Sequence, residues 1–444
     1  MSDTTAITPP HDRPPATASI APSRSTAPRG AILLLMLAYT FSMLDRQILT
    51  ILVEPIKADL HLADWQIGAV SGLAFALLYS FGGIPLARIA DHGHRVRMIA
   101  ISLTVWSAFT IYCGAARSFV EMLMARIGVG LGEAGCTPAA HSLISDYVPP
   151  EKRGSALAFY QLGTPIGALA GLVLGGVVLS TLSWRWAFVI AGVPGILLAG
   201  IVLLVLKEPR QTVVAHSQLQ ERVPFWTAVR TLVRDKAYLY LCAGSALGGF
   251  AYFGQSAFLG SLYLRTHGTA LGALSANLGI QKPALLGLLL GVMVGISGGI
   301  ATWIGGWLAD RFGKGQLRGY LSIPRYTLFF AAPMFAGAAL ANDMLLSLAF
   351  LAGAIFMHSL TYGAAYASIQ TLAQPQMRGM AVALNILVVN AIGFALGPLV
   401  VGLISDFLTA VQGPTMGLRY ALSVVMVPEL LAALACGIAH RFAK

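Results

Sequence analysis

A chain in which one loop signature recurs at the ends of two membrane-length apolar stretches is constrained to fold as two related units. GGWLADRFGKG runs from Gly305 to Gly315, and a looser copy, IPLARIADHGHRVR, from Ile84 to Arg97; aligning Asp91 on Asp310 sets the offset at 219 residues. Two further pairs keep the same order. PEKRGSA (Pro150 to Ala156) and PQMRGMA (Pro375 to Ala381) share P-x-x-R-G-x-A at an offset of 225, and RWAF from Arg185 matches RYAL from Arg419 at 234.

Of the 444 residues, 57% are hydrophobic and 11% charged, against roughly a quarter charged in soluble domains. Apolar runs separated by short polar or Pro/Gly-marked breaks give twelve candidate spans, six per half. An outer-membrane barrel would instead show alternating segments of about 10 residues. The fold class expected is therefore an all-α polytopic membrane protein, twelve helices in two pseudo-symmetric six-helix bundles. The expected divisions are a disordered, Pro/Ser/Thr-rich tail at 1–29, an N-terminal bundle at 30–206, a polar linker at 207–236 and a C-terminal bundle at 237–444. Within the linker, Phe225, Trp226, Val229 and Leu232 keep helical spacing, which suits a helix lying along the membrane surface.

The net charge of +11 does not point to nucleic acid, because the basic residues gather in alternate loops. The opposite loops hold only Lys57, Arg117, Arg185, Arg265, Lys282 and Arg419. By the positive-inside rule both termini are expected in the cytoplasm, and the protein in a bacterial-type inner membrane. The four cysteines, Cys113, Cys136, Cys242 and Cys436, lie inside apolar runs without metal-like spacing and read as packing residues. No nucleotide-binding loop, Cys/His cluster or catalytic triad is visible, so neither an enzyme nor a cofactor is expected.

The doubled G-x-x-x-D-R-x-G-K pattern resembles the loop motif of the major facilitator superfamily at the ends of its second and eighth helices. Gly306, Asp310, Arg311, Gly313 and Lys314 match it closely. The first copy keeps Asp91 and Arg95, with Ala87, His92 and His94 replacing motif residues. A carboxylate here can accept hydrogen bonds from the free N–H groups that begin a neighbouring helix and complement its dipole. The resemblance implies a conformational latch across the halves, Asp91 on the eleventh helix and Asp310 on the fifth, near Arg378 and Arg153. A second resemblance, carried by MARIGVGLGEAGCTPAAHSLISDYVPPEKRG, SMLDRQ and WRWAF, is to the spinster-like branch, proton-coupled carriers whose animal members move lysophospholipids and sphingosine 1-phosphate.

Charges inside a span cost about 2.5–3.5 kcal/mol each even on insertion scales, so they call for an explanation. The first half has four: Asp45 and Arg46 in the first span, Arg126 and Glu133 in the fourth, the last two on one helix face. Depth along the two helices places Arg126 near Asp45, and Glu133 closer to the cytoplasm. The set is either a neutral packing network or a proton-coupling site, with Glu133 the leading carrier and Asp45 the second. The second half is polar and aromatic instead. Tyr252, Gln255 and Ser256 in the seventh span, His358, Thr361 and Tyr362 in the tenth, and Asn385 and Asn390 in the eleventh form the expected substrate cavity. His358 reads equally as a packing residue or a ligand contact, and Glu429, after Pro428 in the twelfth span, as structural. Glycines 163, 167, 171, 175 and 176 of the fifth span and 393, 397 and 402 of the eleventh resemble the superfamily's antiport motif, or serve close helix packing.

The function expected is proton-coupled alternating-access transport by a monomer, with protons, a small amphipathic substrate and membrane lipids as partners. Lysolipid or sphingoid-type cargo leads; small organic anions or drugs, and an uncoupled scramblase or receptor, are the alternatives.

Overall fold

In a computed structural model the described residues are 30–76, 78–79, 82, 85–86, 93–149, 152–209 and 224–443. The expected tail at 1–29, Asp91 and most of the linker ahead of Pro224 lie outside them.

The described chain is helical throughout, because inside a bilayer each backbone N–H and C=O must find its partner within the segment. The first span, Ala31–Leu60, is 30 residues long and ends where His61 turns left-handed (φ 53°). The second begins at Asp64 and loosens into a π-turn at Ala69–Leu73. The third is Arg95–Ala115, the fifth Arg153–Thr181, the sixth Trp184–Val205, the seventh Lys236–Thr266, the eighth Lys282–Gly313 and the ninth Leu317–Leu340. Ala395–Val424 is interrupted at Gly413 (φ 81°, ψ 165°), a backbone conformation open to glycine; there the eleventh span, begun at Arg378, gives way to the twelfth, which ends at Phe442.

The internal duplication is visible in detail. Ser118 caps the fourth span by accepting from Glu121 N–H, and Asp343, 225 positions on, caps the tenth by accepting from Leu346 N–H. Both helices break midway, the fourth after Glu133 before resuming at Cys136–Tyr147, the tenth after Ser359 before Thr361–Leu372. Arg185 at the start of the sixth span donates to the carbonyls of Gly114 and Ala116, in the turn joining the third and fourth. Arg419 in the twelfth does the same for the turn joining the ninth and tenth, donating to Ala339 O at 2.9 Å, Ala341 O at 3.1 Å, and Leu340 O. The short repeat RWAF/RYAL thus marks a cationic clamp present once per half.

The halves pack on each other mainly through three helix pairs: first on seventh, second on eleventh and fifth on eighth. Close approach needs small residues. A methyl group on Gly68 would run into Pro398 O, and one on Gly287 into Leu172 O. These contacts lie toward the face opposite Gly30. Toward the Gly30 face, the segments Cys136–Tyr147, Arg153–Gln161, Thr361–Leu372 and Arg378–Val388 pack chiefly within their own halves. Among the described residues, the space between the halves therefore opens on the face from which the first span starts.

Candidate functional site

In the first half, Arg126 Nη1 stands 2.7 Å from Asp45 Oδ2, and Thr110 Oγ1 donates to Asp45 Oδ1 at 2.7 Å. Two turns further along the fourth span, Glu133 Oε2 accepts from Arg46 Nη2 at 2.7 Å, Arg46 Nε at 3.1 Å and Ser42 Oγ at 2.8 Å. The glycines around Glu133 allow this approach: a methyl on Gly130 or Gly132 would strike the backbone at Phe75 or Trp106. The Phe75 ring sits beneath both guanidinium groups, 4.3 Å from Arg46 and 5.8 Å from Arg126. Asp45, Arg126 and Glu133 are buried, whereas Arg46 keeps 20% of its side-chain surface exposed, with Tyr79 also beside it at 4.8 Å. Glu133 Oε1 has no hydrogen-bond partner among the described residues. Four charges thus resolve into two ion pairs, and Arg46 is the member that reaches open space.

In the second half, Tyr252 stacks on His358 with ring centroids 4.8 Å apart, and Tyr362 meets the imidazole edge-on at 5.7 Å. Thr361 Oγ1 donates to His358 O at 2.7 Å. Gln255 Nε2 donates to Phe335 O, and Tyr252, Gln255 and Ser256 line a small void of about 10 Å³, about the size of one water molecule's site. Asn385 is buried with its Oδ1 unpartnered; Asn390 lies in the π-turn Val389–Phe394, and neither joins the His358 cluster by a hydrogen bond among the described residues. Sequence reasoning missed the partner of His358. Its Nδ1 is 2.8 Å from Glu429 Oε1, and both side chains are buried. Two lone polar residues in separate spans carry no sequence signal that they meet.

The latch residues are spread differently. Asp310, Arg311, Arg153 and Arg378 are exposed at the Gly30 face, with no ion pair linking the halves there among the described residues. Arg153 Nε donates to Val148 O, in its own half. Arg95 is fully buried inside the first half, bound to Asp146 at 2.5 Å, Glu208 at 2.5 Å and Ser142 O at 3.1 Å. It ties the ends of the third, fourth and sixth spans together rather than reaching the second half.

The opposite face is closed by residues that the motif search passed over. Asp406 in the eleventh span accepts from the N–H groups of Asp64 (3.0 Å) and Trp65 (2.8 Å), which begin the second span. Arg265 of the seventh span donates to Asp64 Oδ1 at 2.8 Å, Asp64 Oδ2 at 2.9 Å and Glu54 Oε1 at 2.8 Å, while Lys57 and Ser405 also bind Asp64. One available signal was Arg265 itself, a base at the end of a span on the base-poor side.

With this geometry in view, the family description Major Facilitator Superfamily matches residues 35–398. An "MFS-type efflux pump" of Mycolicibacterium smegmatis is 32% identical over 91% of this chain and 90% of its own. A crystal structure titled as a bacterial homologue of the human lysosomal transporter spinster, inward-facing and unoccupied, superposes with TM-score 0.81 at 27% identity, covering 94% of this chain and 97% of that one. A "Probable L-galactonate transporter" of Escherichia coli is 30% identical over 38% of this chain and 37% of its own.

Proposed function

Since the chain belongs to the major facilitator superfamily, and so is a membrane transporter rather than an enzyme, we propose that it is a proton-coupled carrier of an amphipathic organic anion, lysolipid-like or sphingoid-phosphate-like in shape. The observation that carries this reading is the Arg46–Glu133 pair, which is poised between two partners: the carboxylate inside the protein and whatever anion enters the cavity. When Glu133 takes a proton its attraction for Arg46 falls, and the guanidinium is free for an acidic head group. When the anion leaves, Arg46 returns to Glu133 and the proton is released. The aromatic face of Tyr252 and Tyr362 across the cavity suits an apolar body.

The positive-inside bias puts the Gly30 face in the cytoplasm, so the conformation described is inward-open, and the exposed Asp310 belongs to a latch that engages only when that face closes. The bundles act as two rigid bodies, 30–206 and 237–444, rocking about the site. A second reading, a compact organic acid as cargo, draws on the L-galactonate relative and on the same partly exposed Arg46 guanidinium.

The test uses proteoliposomes with an imposed pH gradient. Flux of a lysophosphatidyl or sphingoid phosphate probe, dependent on the gradient and abolished in Glu133→Gln, supports the reading. Gradient-driven flux of a hexuronate instead would establish the compact-acid alternative, and equal flux without a gradient would remove proton coupling, as for a scramblase.

A further inference from the structure

Away from the space between the halves, a further opening lies at the Gly30 face of the second half. It is a groove of about 880 Å³ between the start of the seventh span, the start of the ninth and the ends of the tenth and twelfth. Its lining includes Arg234, Lys236 and Arg318. Among the described residues the wall holds one carboxylate, Asp235, whose Oδ1 accepts from the N–H groups of Ala237 and Tyr238 as the cap of the seventh span. Arg318 spends its Nε on Ala443 O at 2.9 Å and keeps both Nη groups. None of the three bases is ion-paired to a carboxylate among the described residues. Gln316 precedes the ninth span without a side-chain cap, so that helix also turns unsatisfied N–H groups toward the opening.

The surroundings fix the depth of this groove. Helix Phe225–Arg234 buries Ala228 and Leu232 against the bundle and holds Trp226 (77% exposed) and Val233 outward. Phe442 stacks on Tyr240 with centroids 5.9 Å apart, and Lys236 Nζ lies 5.4 Å from the same Phe442 ring. Exposed Trp, Tyr and Phe beside Lys and Arg are the side chains that settle at the head-group level of a bilayer.

We propose that this groove binds the phosphodiester head group of an anionic phospholipid of the cytoplasmic leaflet. Arg234, Lys236 and Arg318 hold the phosphate, the aromatic rim seats the glycerol backbone, and the acyl chains follow the apolar outer surface of the seventh and twelfth spans. A net positive pocket at that depth, three bases against one capping carboxylate, is complementary to phosphatidylglycerol or cardiolipin. The bound lipid would brace the surface helix against the ninth and tenth spans within one half, independently of which cargo the carrier moves.

The test is native mass spectrometry of the delipidated full-length protein titrated with dioleoyl phosphatidylglycerol or dioleoyl phosphatidylcholine. The expected result is a saturable phosphatidylglycerol site that weakens at least about tenfold in the triple variant Arg234→Gln, Lys236→Gln, Arg318→Gln, with phosphatidylcholine retention unchanged. Because Arg318 also holds the C-terminal backbone, the exposed single change Arg234→Glu is the companion; it must weaken the same site without lowering thermal stability. A control removing equal charge on that face of the other half, Arg97→Gln, Lys152→Gln, Lys207→Gln, should leave the site intact. The proposal is overturned if the triple variant retains phosphatidylglycerol like the wild type, or if the control weakens it equally, which would reveal surface potential alone. It is overturned as well if glycerol phosphate or inorganic phosphate binds the groove as tightly as the diacyl lipid.

Discussion

Asp406 Oδ2 accepts a hydrogen bond from the Trp65 N–H at 2.8 Å, so a carboxylate from one half caps a helix that begins in the other. This is the chemistry that the doubled loop motif led us to expect of Asp91 and Asp310 at the cytoplasmic face. In the conformation described it operates at the far face, opposite Gly30, through a residue outside that motif. With the proposed latch, the two faces would use one device in alternation, a carboxylate engaging free N–H groups across the interface whenever its side is shut.

Loss of that cap should open the far side. Asp406→Ala removes an N-cap interaction of about 1 kcal/mol, which is roughly a fivefold shift of the conformational ratio toward outward-open. Spin-label distances across the far face should lengthen in proportion; an unchanged distribution would mean that Arg265 and the close helix contacts hold the face without it.

The mirror change is Asp310→Asn. Asp310 is exposed and unlatched in the conformation described, so the substitution should leave this state untouched and weaken the outward-facing one, by about 1 kcal/mol. Distances across the cytoplasmic face should shift toward open. Distances identical to wild type under conditions that favour the outward state would argue against the latch.

The far-face ion cluster should be indifferent to physiological pH. Carboxyl groups ordinarily titrate near pH 4, and Asp64 is bound by Arg265, Lys57 and Ser405, so the cluster keeps its ion pairs through that range. Closure of that face should therefore be constant from about pH 5 to 8 in a Glu133→Gln background, where the central carboxyl no longer titrates. A midpoint inside that window would show that another group governs the far face.

Arg126 and Asp45 form a buried pair, and removing one partner strands the other's charge. Arg126→Ala should cost about 3–5 kcal/mol, read as lost folded yield, and Asp45→Asn added to it should recover part of that loss without restoring gradient-driven flux. Strict additivity in a double-mutant cycle would show that the two act independently.

The pair His358 and Glu429 should behave as a structural contact in the second half. His358→Ala leaves a carboxyl buried without its one partner and should lower thermal stability severely, whereas Glu429→Gln keeps a hydrogen-bonding oxygen and should be milder. Proton-driven flux per folded molecule should be preserved in Glu429→Gln; its loss would move this pair into the coupling machinery.

The sequence by itself determined the membrane class, the twelve spans, the twofold repeat and the residue types of the central site, because each depends on local quantities. Apolar run length, loop charge and repeat offset can be read along the chain, and a charged side chain within a span is conspicuous wherever it sits. Helix rise even brought Arg126 to the depth of Asp45. What only the tertiary structure decided is pairing between spans and the state of the two faces. That Arg46 rather than Arg126 takes Glu133, that Glu429 finds His358, that Arg95 binds Glu208 113 residues away, and that Asp406 rather than Asp310 is engaged all depend on how helices rotate about their axes and how the halves tilt. Those angles are set by glycine contacts such as Gly68 on Pro398 and Gly287 on Leu172, summed over whole interfaces, and no single stretch of sequence carries that sum.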